Sequence, residues 1–193
     1  MRLDHVIYAT PDLNAAASMI ESELGLMTAG GGRHDGHGTH NRIVPLGGGY
    51  LELMSVADPG EAAESPIGSA VQAHLARRGE GLFAWAVAVE DLGPVAARLG
   101  SPITTVTRQG FSARLAGVAE ALRDPWKPFF IARDRAIPDP GVGGDVGGIT
   151  WVEVAADAER LERRLGGADL PLKIVDGAPG LRAMGIGERE LRS

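Results

Sequence analysis

The residues best equipped for chemistry in this 193-residue chain are five histidines and a few acids set in apolar runs. His5 lies in the run HVIYA, where strand alternation would place it on the face of Leu3 and Ile7. An inward imidazole there is either a hydrogen-bonded core or pocket residue or a polariser of a bound group. Glu52 lies in YLELMS and shares a face with Tyr50 and Met54 by the same alternation. A carboxylate in that company is either solvated or functional, because burying it unpaired is costly. Facing a cavity, Glu52 could act as a general base, with His5 beside it as the second catalytic residue.

His34, His37 and His40 are spaced by three within GGGRHDGHGTH. The stretch is glycine-rich rather than helical, so the spacing defines no common face, and a mobile surface loop is the expectation for His34 and His37. The segment Thr39-His40-Asn41-Arg42 enters a strand. Either His40 with Arg42 or Thr39 with Asn41 must therefore face inward, and all four are candidates for contact with a substrate. GGGRHDG lacks the Lys-Ser/Thr pair and the following helix of a phosphate loop. Trp85 and Trp126 are candidate walls of an apolar cavity, with Trp126 expected to be exposed after the turn at Asp124-Pro125. Zincin and G-x-S-x-G signatures are absent, which argues against hydrolases.

The elements that must position these residues follow a layout that occurs three times: an extended apolar run, an acid at a turn, and an Ala/Leu/Arg-rich helical run ending in Gly. The copies are HVIYAT–Asp12–LNAAASMIESEL–Gly25, AWAVAV–Asp91–LGPVAARL–Gly100 and TWVEVA–Asp157–AERLERRL–Gly166. Each acid can accept from the open amides of a helix start, and each glycine suits the left-handed residue that ends a helix. After the first helix come strands at 26–29, 39–46 and 50–55, and after the second come strands near 103–108, 111–117 and 128–133. The third copy continues with short strands near 172–175, 181–186 and 189–192. The expected organisation is a first βαβββ module at 1–55, a linker and connecting helix at 56–79, a second module at 80–135 and a partial third at 148–193, all one compact unit. The fold class is α+β: tandem modules forming a curved, mostly antiparallel sheet around a pocket, with a truncated third copy at the C-terminus and the helices on one sheet face.

Composition narrows the function classes. The net charge of −6 would repel a phosphate backbone, so no nucleic acid is expected as a partner. The basic cluster Arg160–Arg164 reads as the solvated face of a helix. The chain has no cysteine, which excludes disulfides and thiolate metal sites. No signal-peptide pattern or apolar run of spanning length occurs, so a cytoplasmic protein without membrane attachment is expected. Exposed sheet edges invite pairing, which makes a homodimer an expectation as well.

A βαβββ module in tandem, opening with LDHVIYATPDL and continuing through GGGRHDGHGTHNRIVPLGGGYLEL, resembles the vicinal oxygen chelate superfamily, and its glyoxalase-like branch most closely. The resemblance implies paired modules forming a half-open sheet around a small-molecule cavity. It also implies a divalent metal (zinc, nickel, iron or manganese) held by a His on the first strand and a Glu on the last strand of each module. Carried over, these are His5 and Glu52 in module one, with a third ligand to be recruited from His34, His37 or His40, His40 foremost. In module two the matching positions are Ala84 and Ala132, which cannot ligate, so the metal site is degenerate. The implied function is a lyase, isomerase or dioxygenase-like enzyme on a small oxygenated or carbonyl-containing molecule. The alternative is a non-catalytic protein of the same fold that sequesters a small ligand.

Overall fold

The computed structural model describes residues 1–108, 111–134 and 136–193; the turn expected between the strands near 103–108 and 111–117 lies outside the described residues. The first module runs β1 (Arg2–Ala9), α1 (Leu13–Leu24), β2 (Ala29–His34), β3 (Thr39–Pro45) and β4 (Tyr50–Val56). Two helices, α2 (Pro59–Ala63) and α3 (Pro66–Arg78), lead to the second module. That module comprises β5 (Gly81–Ala88), α4 (Gly93–Leu99), β6 (Ile103–Arg108), β7 (Phe111–Ala116), α5 (Val118–Arg123) and β8 (Phe129–Arg133). The chain ends with β9 (Ile149–Ala155), α6 (Ala158–Leu165), β10 (Leu172–Val175), β11 (Gly180–Ile186) and β12 (Arg189–Arg192).

The helix boundaries have local causes. Asp12 accepts from the amides of Asn14 and Ala15, and Gly25 closes α1 at φ 63°. Asp157 accepts from Arg160 N, and Gly166 closes α6 at φ 67°. Asp91 caps less directly: α4 begins two residues later, and the Asp91 carboxylate accepts from Gly93 N.

Both modules share one eight-stranded sheet in the order β2-β3-β4-β1-β5-β8-β7-β6. β1 pairs antiparallel with β5 at the centre, and each module closes through a parallel pair, β1 with β4 and β5 with β8. The two halves thus have the same strand order, mirrored about the β1–β5 seam. The C-terminal unit keeps the βαβββ element order but a different strand order, β10-β9-β11-β12. Its first strand lies inside the sheet, so it is not a shortened copy of the same pairing scheme.

Two hydrophobic clusters cover the two faces of the large sheet. On one face α1, α4, α6 and the small sheet bury Ile20, Leu51, Trp85, Phe130, Leu161 and Met184. On the other, Val71 of α3 and Ala121 of α5 pack with Ile7, Met54, Phe83 and Phe129. Helices therefore lie on both faces, not on one as the sequence suggested, because α3 and the short α5 fill part of the concave side. Arg164 also departs from its expected solvated position. It is buried and donates to the carbonyls of Pro128 and Gly117 and to Glu120, tying α6 to the second module. Among the described residues, no helix is long and apolar enough to cross a membrane.

Candidate active site

A cavity of about 90 Å³ opens on the concave face between the two modules. Among the described residues, every polar side chain that lines it comes from the first module: His5, His34, His37, Asn41, Tyr50 and Glu52. Glu52 sits at the centre of this group and is 6% exposed. Asn41 Nδ2 donates to Glu52 Oε1 at 2.5 Å. His5 Nε2 lies 3.6 Å from Oε2, and His34 Nε2 lies 3.6 Å from Oε1. Two imidazoles therefore flank the two oxygens of one carboxylate.

Each imidazole is oriented by a contact through its other nitrogen. His34 Nδ1 lies 2.9 Å from Thr39 Oγ1, its cross-strand partner in the β2–β3 ladder. His37 Nδ1 lies 2.7 Å from Ser65 Oγ, which already accepts from the amides of Ile67 and Gly68 as the cap of α3. With both lone pairs engaged, the Ser65 hydroxyl must donate to His37 Nδ1, which leaves the neutral ring's proton on Nε2. His5 Nδ1 lies 2.7 Å from Asp4 Oδ2.

Asp4 reaches the same side of β1 as His5 because of a β-bulge. Leu3 pairs with Val87 and His5 with Ala86, leaving Asp4 as the extra residue. A bulge turns neighbouring side chains out of strict alternation. Leu3 accordingly packs in the helix-side core and does not share a face with His5. Asp4 is fully buried and receives a bidentate pair of hydrogen bonds from Arg133 of β8. Burial alone would raise its carboxyl pKa, but the bonds and charges of Arg133 and His5 outweigh burial and hold it well below the usual carboxylate range. An ionised Asp4 can only accept, so it fixes the Nδ1–H tautomer of His5 and leaves Nε2 for the cavity. Arg133 also donates to Tyr50 Oη at 3.0 Å, and the Tyr50 ring stacks on His5 with centroids 4.6 Å apart. Burial, then the charges of Glu52 and Asp4, push the Tyr50 hydroxyl well above its ordinary value, so it stays neutral.

The structure sorts the expected site residues into three groups. His5, Glu52 and Asn41 come together in the cavity, and Thr39 stands behind His34. His40 and Arg42 lie on the opposite face of β3, beside Arg33 and Asn14 in a surface groove. Burial, followed by the nearby Arg33 and Arg42, lowers the pKa of His40 below its ordinary value. Trp85 and Trp126 belong to the helix-side core, where Trp85 Nε1 donates to the Trp126 carbonyl, and neither lines the cavity. Trp126 is also buried rather than exposed.

Asp4, Arg133 and Tyr50 were not named as candidates from sequence, and His34 and His37 only as nearby recruits for a metal. The glycine-rich segment expected to be a loop is in fact β2. In module two the register differs by an odd number of residues from that expected: Phe129 pairs with Ala86 as Glu52 pairs with Ile7. Phe129, not Ala132, therefore stands opposite Glu52, and Ala132 faces the helix-side core.

A resident divalent ion needs about three protein ligands converging on one point, each within roughly 2.0–2.3 Å of it. Here the two Nε2 atoms approach different oxygens of Glu52, and Asn41 already engages one of those oxygens. His40, the third ligand expected, is on the wrong face of its strand. Among the described residues, no group of three His, Cys, Asp or Glu side chains is placed to hold a metal ion. The arrangement does not fit the implied metal.

Two mirrored βαβββ modules curled around a cavity define the vicinal oxygen chelate architecture. A family model described as a glyoxalase-like domain matches residues 3–168, and the chain belongs to that family. No curated protein matches the sequence. Among solved structures, a hypothetical protein from Staphylococcus aureus aligns with a TM-score of 0.70 at 15% identity, covering 95% of this chain and 89% of that one. Methylmalonyl-CoA epimerase from Mycobacterium tuberculosis aligns with a TM-score of 0.52 at 20% identity, over 68% of this chain and 86% of that one. The Streptomyces coelicolor methylmalonyl-CoA epimerase in complex with 2-nitronate-propionyl-CoA aligns with a TM-score of 0.54 at 18% identity, over 70% and 96%. At these identities the likeness is one of fold.

Proposed function

We propose that this protein is an isomerase- or lyase-type enzyme that moves a proton on a small carbonyl-bearing molecule, with Glu52 as the base. The observation that carries the reading is the Glu52 carboxylate, buried at the polar end of the cavity with an imidazole Nε2 3.6 Å from each of its oxygens. Glu52 takes the proton from the carbon next to the carbonyl, and the electron pair of the broken C–H bond moves into the enolate. His5, held by Asp4 through Nδ1, carries a proton on or off through Nε2. Return of a proton to a different atom or face completes an isomerisation. General acid–base catalysis of this kind contributes roughly 10²–10⁴-fold.

Methylmalonyl-CoA epimerase, named for epimerisation, is among the fold neighbours and supports a proton-transfer role. The cysteine-free composition supports the cytoplasm as its compartment.

Glu52→Gln preserves shape while removing the base. Exchange of α-protons for deuterium on a panel of ketones and aldehydes, followed by NMR, is expected to fall by roughly 10²-fold or more with the circular dichroism unchanged. Exchange at the wild-type rate in the variant refutes the role of Glu52. A wild-type protein that binds these compounds and returns them without exchange supports the sequestering alternative.

A further inference from the structure

The cavity is asymmetric in a way that selects its ligand. Among the described residues, the polar lining belongs to module one, and the second module contributes hydrocarbon and aromatic surface, with Phe83, Leu115, Val118, Leu122, Phe129 and Ile131 among its members. A β-bulge reinforces this wall: Ile7 pairs with Ala84 and Tyr8 with Leu82, so the extra residue Phe83 turns into the cavity. Among the residues whose side chains are described, no Lys or Arg lines the cavity. The cation at its polar end, Arg133, is engaged with Asp4 and Tyr50 behind the lining.

An anion entering this space leaves water without meeting a guanidinium or ammonium, and it meets the Glu52 carboxylate instead. Stripping an ion of water without a partner is far more costly than burying a carbonyl that finds a hydrogen-bond donor. The chain's net charge of −6 opposes anions at longer range too. Size adds a limit. The cavity of about 90 Å³ holds only a small ligand.

We infer that the ligand is a small uncharged ketone or aldehyde with a hydrocarbon arm, the carbon next to its carbonyl at Glu52 and its arm against the second module. Carboxylates and phosphate esters are excluded by the same charge pattern, and a cavity of about 90 Å³ has no room for a coenzyme A moiety. This substrate class rests on the cavity being the active site as proposed above. It separates this chain from the acyl-CoA chemistry named for its epimerase neighbours.

The test uses three probes on the full chain at neutral pH, with titration calorimetry as the readout: 2-heptanone, hexanoate and propionyl-CoA. The ketone is expected to bind at least ~100-fold more tightly than hexanoate, with propionyl-CoA no tighter than hexanoate. In Glu52→Gln, hexanoate is expected to gain roughly 10-fold in affinity, since one like charge is gone. Ala113→Leu and Leu115→Phe fill the cavity by independent routes, and each is expected to lose ketone binding. Equal or tighter binding of hexanoate or propionyl-CoA, no measurable ketone binding, or ketone binding unchanged in both filled variants overturns the inference. Ketone binding without α-proton exchange leaves this substrate class standing and refutes the catalytic role instead.

Discussion

Replacing Asp4 by Asn isolates the buried ion pair that organises the polar end of the cavity. The Asp4 side chain is fully buried, Arg133 is 10% exposed, and two hydrogen bonds join them across the β1–β8 gap. Removing one partner of a buried pair leaves the other charge uncompensated, which costs about 3–5 kcal/mol. For a chain of this length each kcal/mol moves Tm by about 2–4 °C, so a fall of roughly 6–20 °C is expected. Urea unfolding followed by tryptophan fluorescence measures the change, since Trp85 is fully buried in the native state. The pH dependence has a definite sign. The folded Asp4 carboxyl is held below its ordinary value of 3.8, so its stabilisation is fully present above 3.8 and is lost as the pH falls through the lower folded value. The gap between wild type and Asp4→Asn should therefore be constant above that point and close below it. The double substitution Asp4→Leu with Arg133→Met removes both charges and should recover most of the loss. A cost under about 1 kcal/mol, a gap indifferent to acid, or a double variant no better than the single refutes the reasoning.

Three further outcomes are expected. His74 of α3 is buried against Phe83, its Nε2 has no hydrogen-bond partner among the described residues, and burial, then Arg78 and Arg77, lower its pKa below 6.5. It stays neutral in the folded state while the unfolded state takes up a proton, so wild-type stability falls as the pH drops below 6.5 through the folded value. His74→Leu should flatten that segment of the curve, and urea midpoints across it check this. Gly68→Ala would place a Cβ 2.3 Å from the His37 carbonyl oxygen and 2.5 Å from Ala62 Cα. It should cost about 1–3 kcal/mol in thermal unfolding and push His37 from the cavity wall. Arg164→Ala strands the Pro128 and Gly117 carbonyls and should lower the urea-derived stability by about 2–3 kcal/mol, where a merely solvated arginine would lower it by almost nothing.

Much of the fold was legible because its signals are local. The carboxylates of Asp12 and Asp157 meet helix amides within three residues, and Gly25, Gly100 and Gly166 each take the left-handed conformation that ends a helix. The segment Ala29–His34 was missed because its glycines look like a loop. In the structure it pairs with β3, and Gly31 at φ 133° leaves no room for a Cβ, which would lie 2.2 Å from the Asn41 carbonyl oxygen. That close approach carries His34 to Glu52, and it involves a residue ten positions away.

His5 and Glu52 were singled out from their types, from the apolar company they keep and from the family resemblance, properties that the chain carries residue by residue. The cysteine-free, acidic composition and the repeated strand–acid–helix–glycine layout belong to the same level. Which face each side chain takes was decided by tertiary structure. Strict alternation separates Asp4 from His5 and groups Leu3 with His5, but the bulge that pairs β1 with β5 reverses both relations. The same long-range pairing puts Phe129 rather than Ala132 opposite Glu52, and brings Arg133 from far along the chain onto Asp4. A strand has a side-chain period of two, so one extra residue exchanges its faces. Where that residue falls depends on the partner strand, whose register is absent from the local sequence.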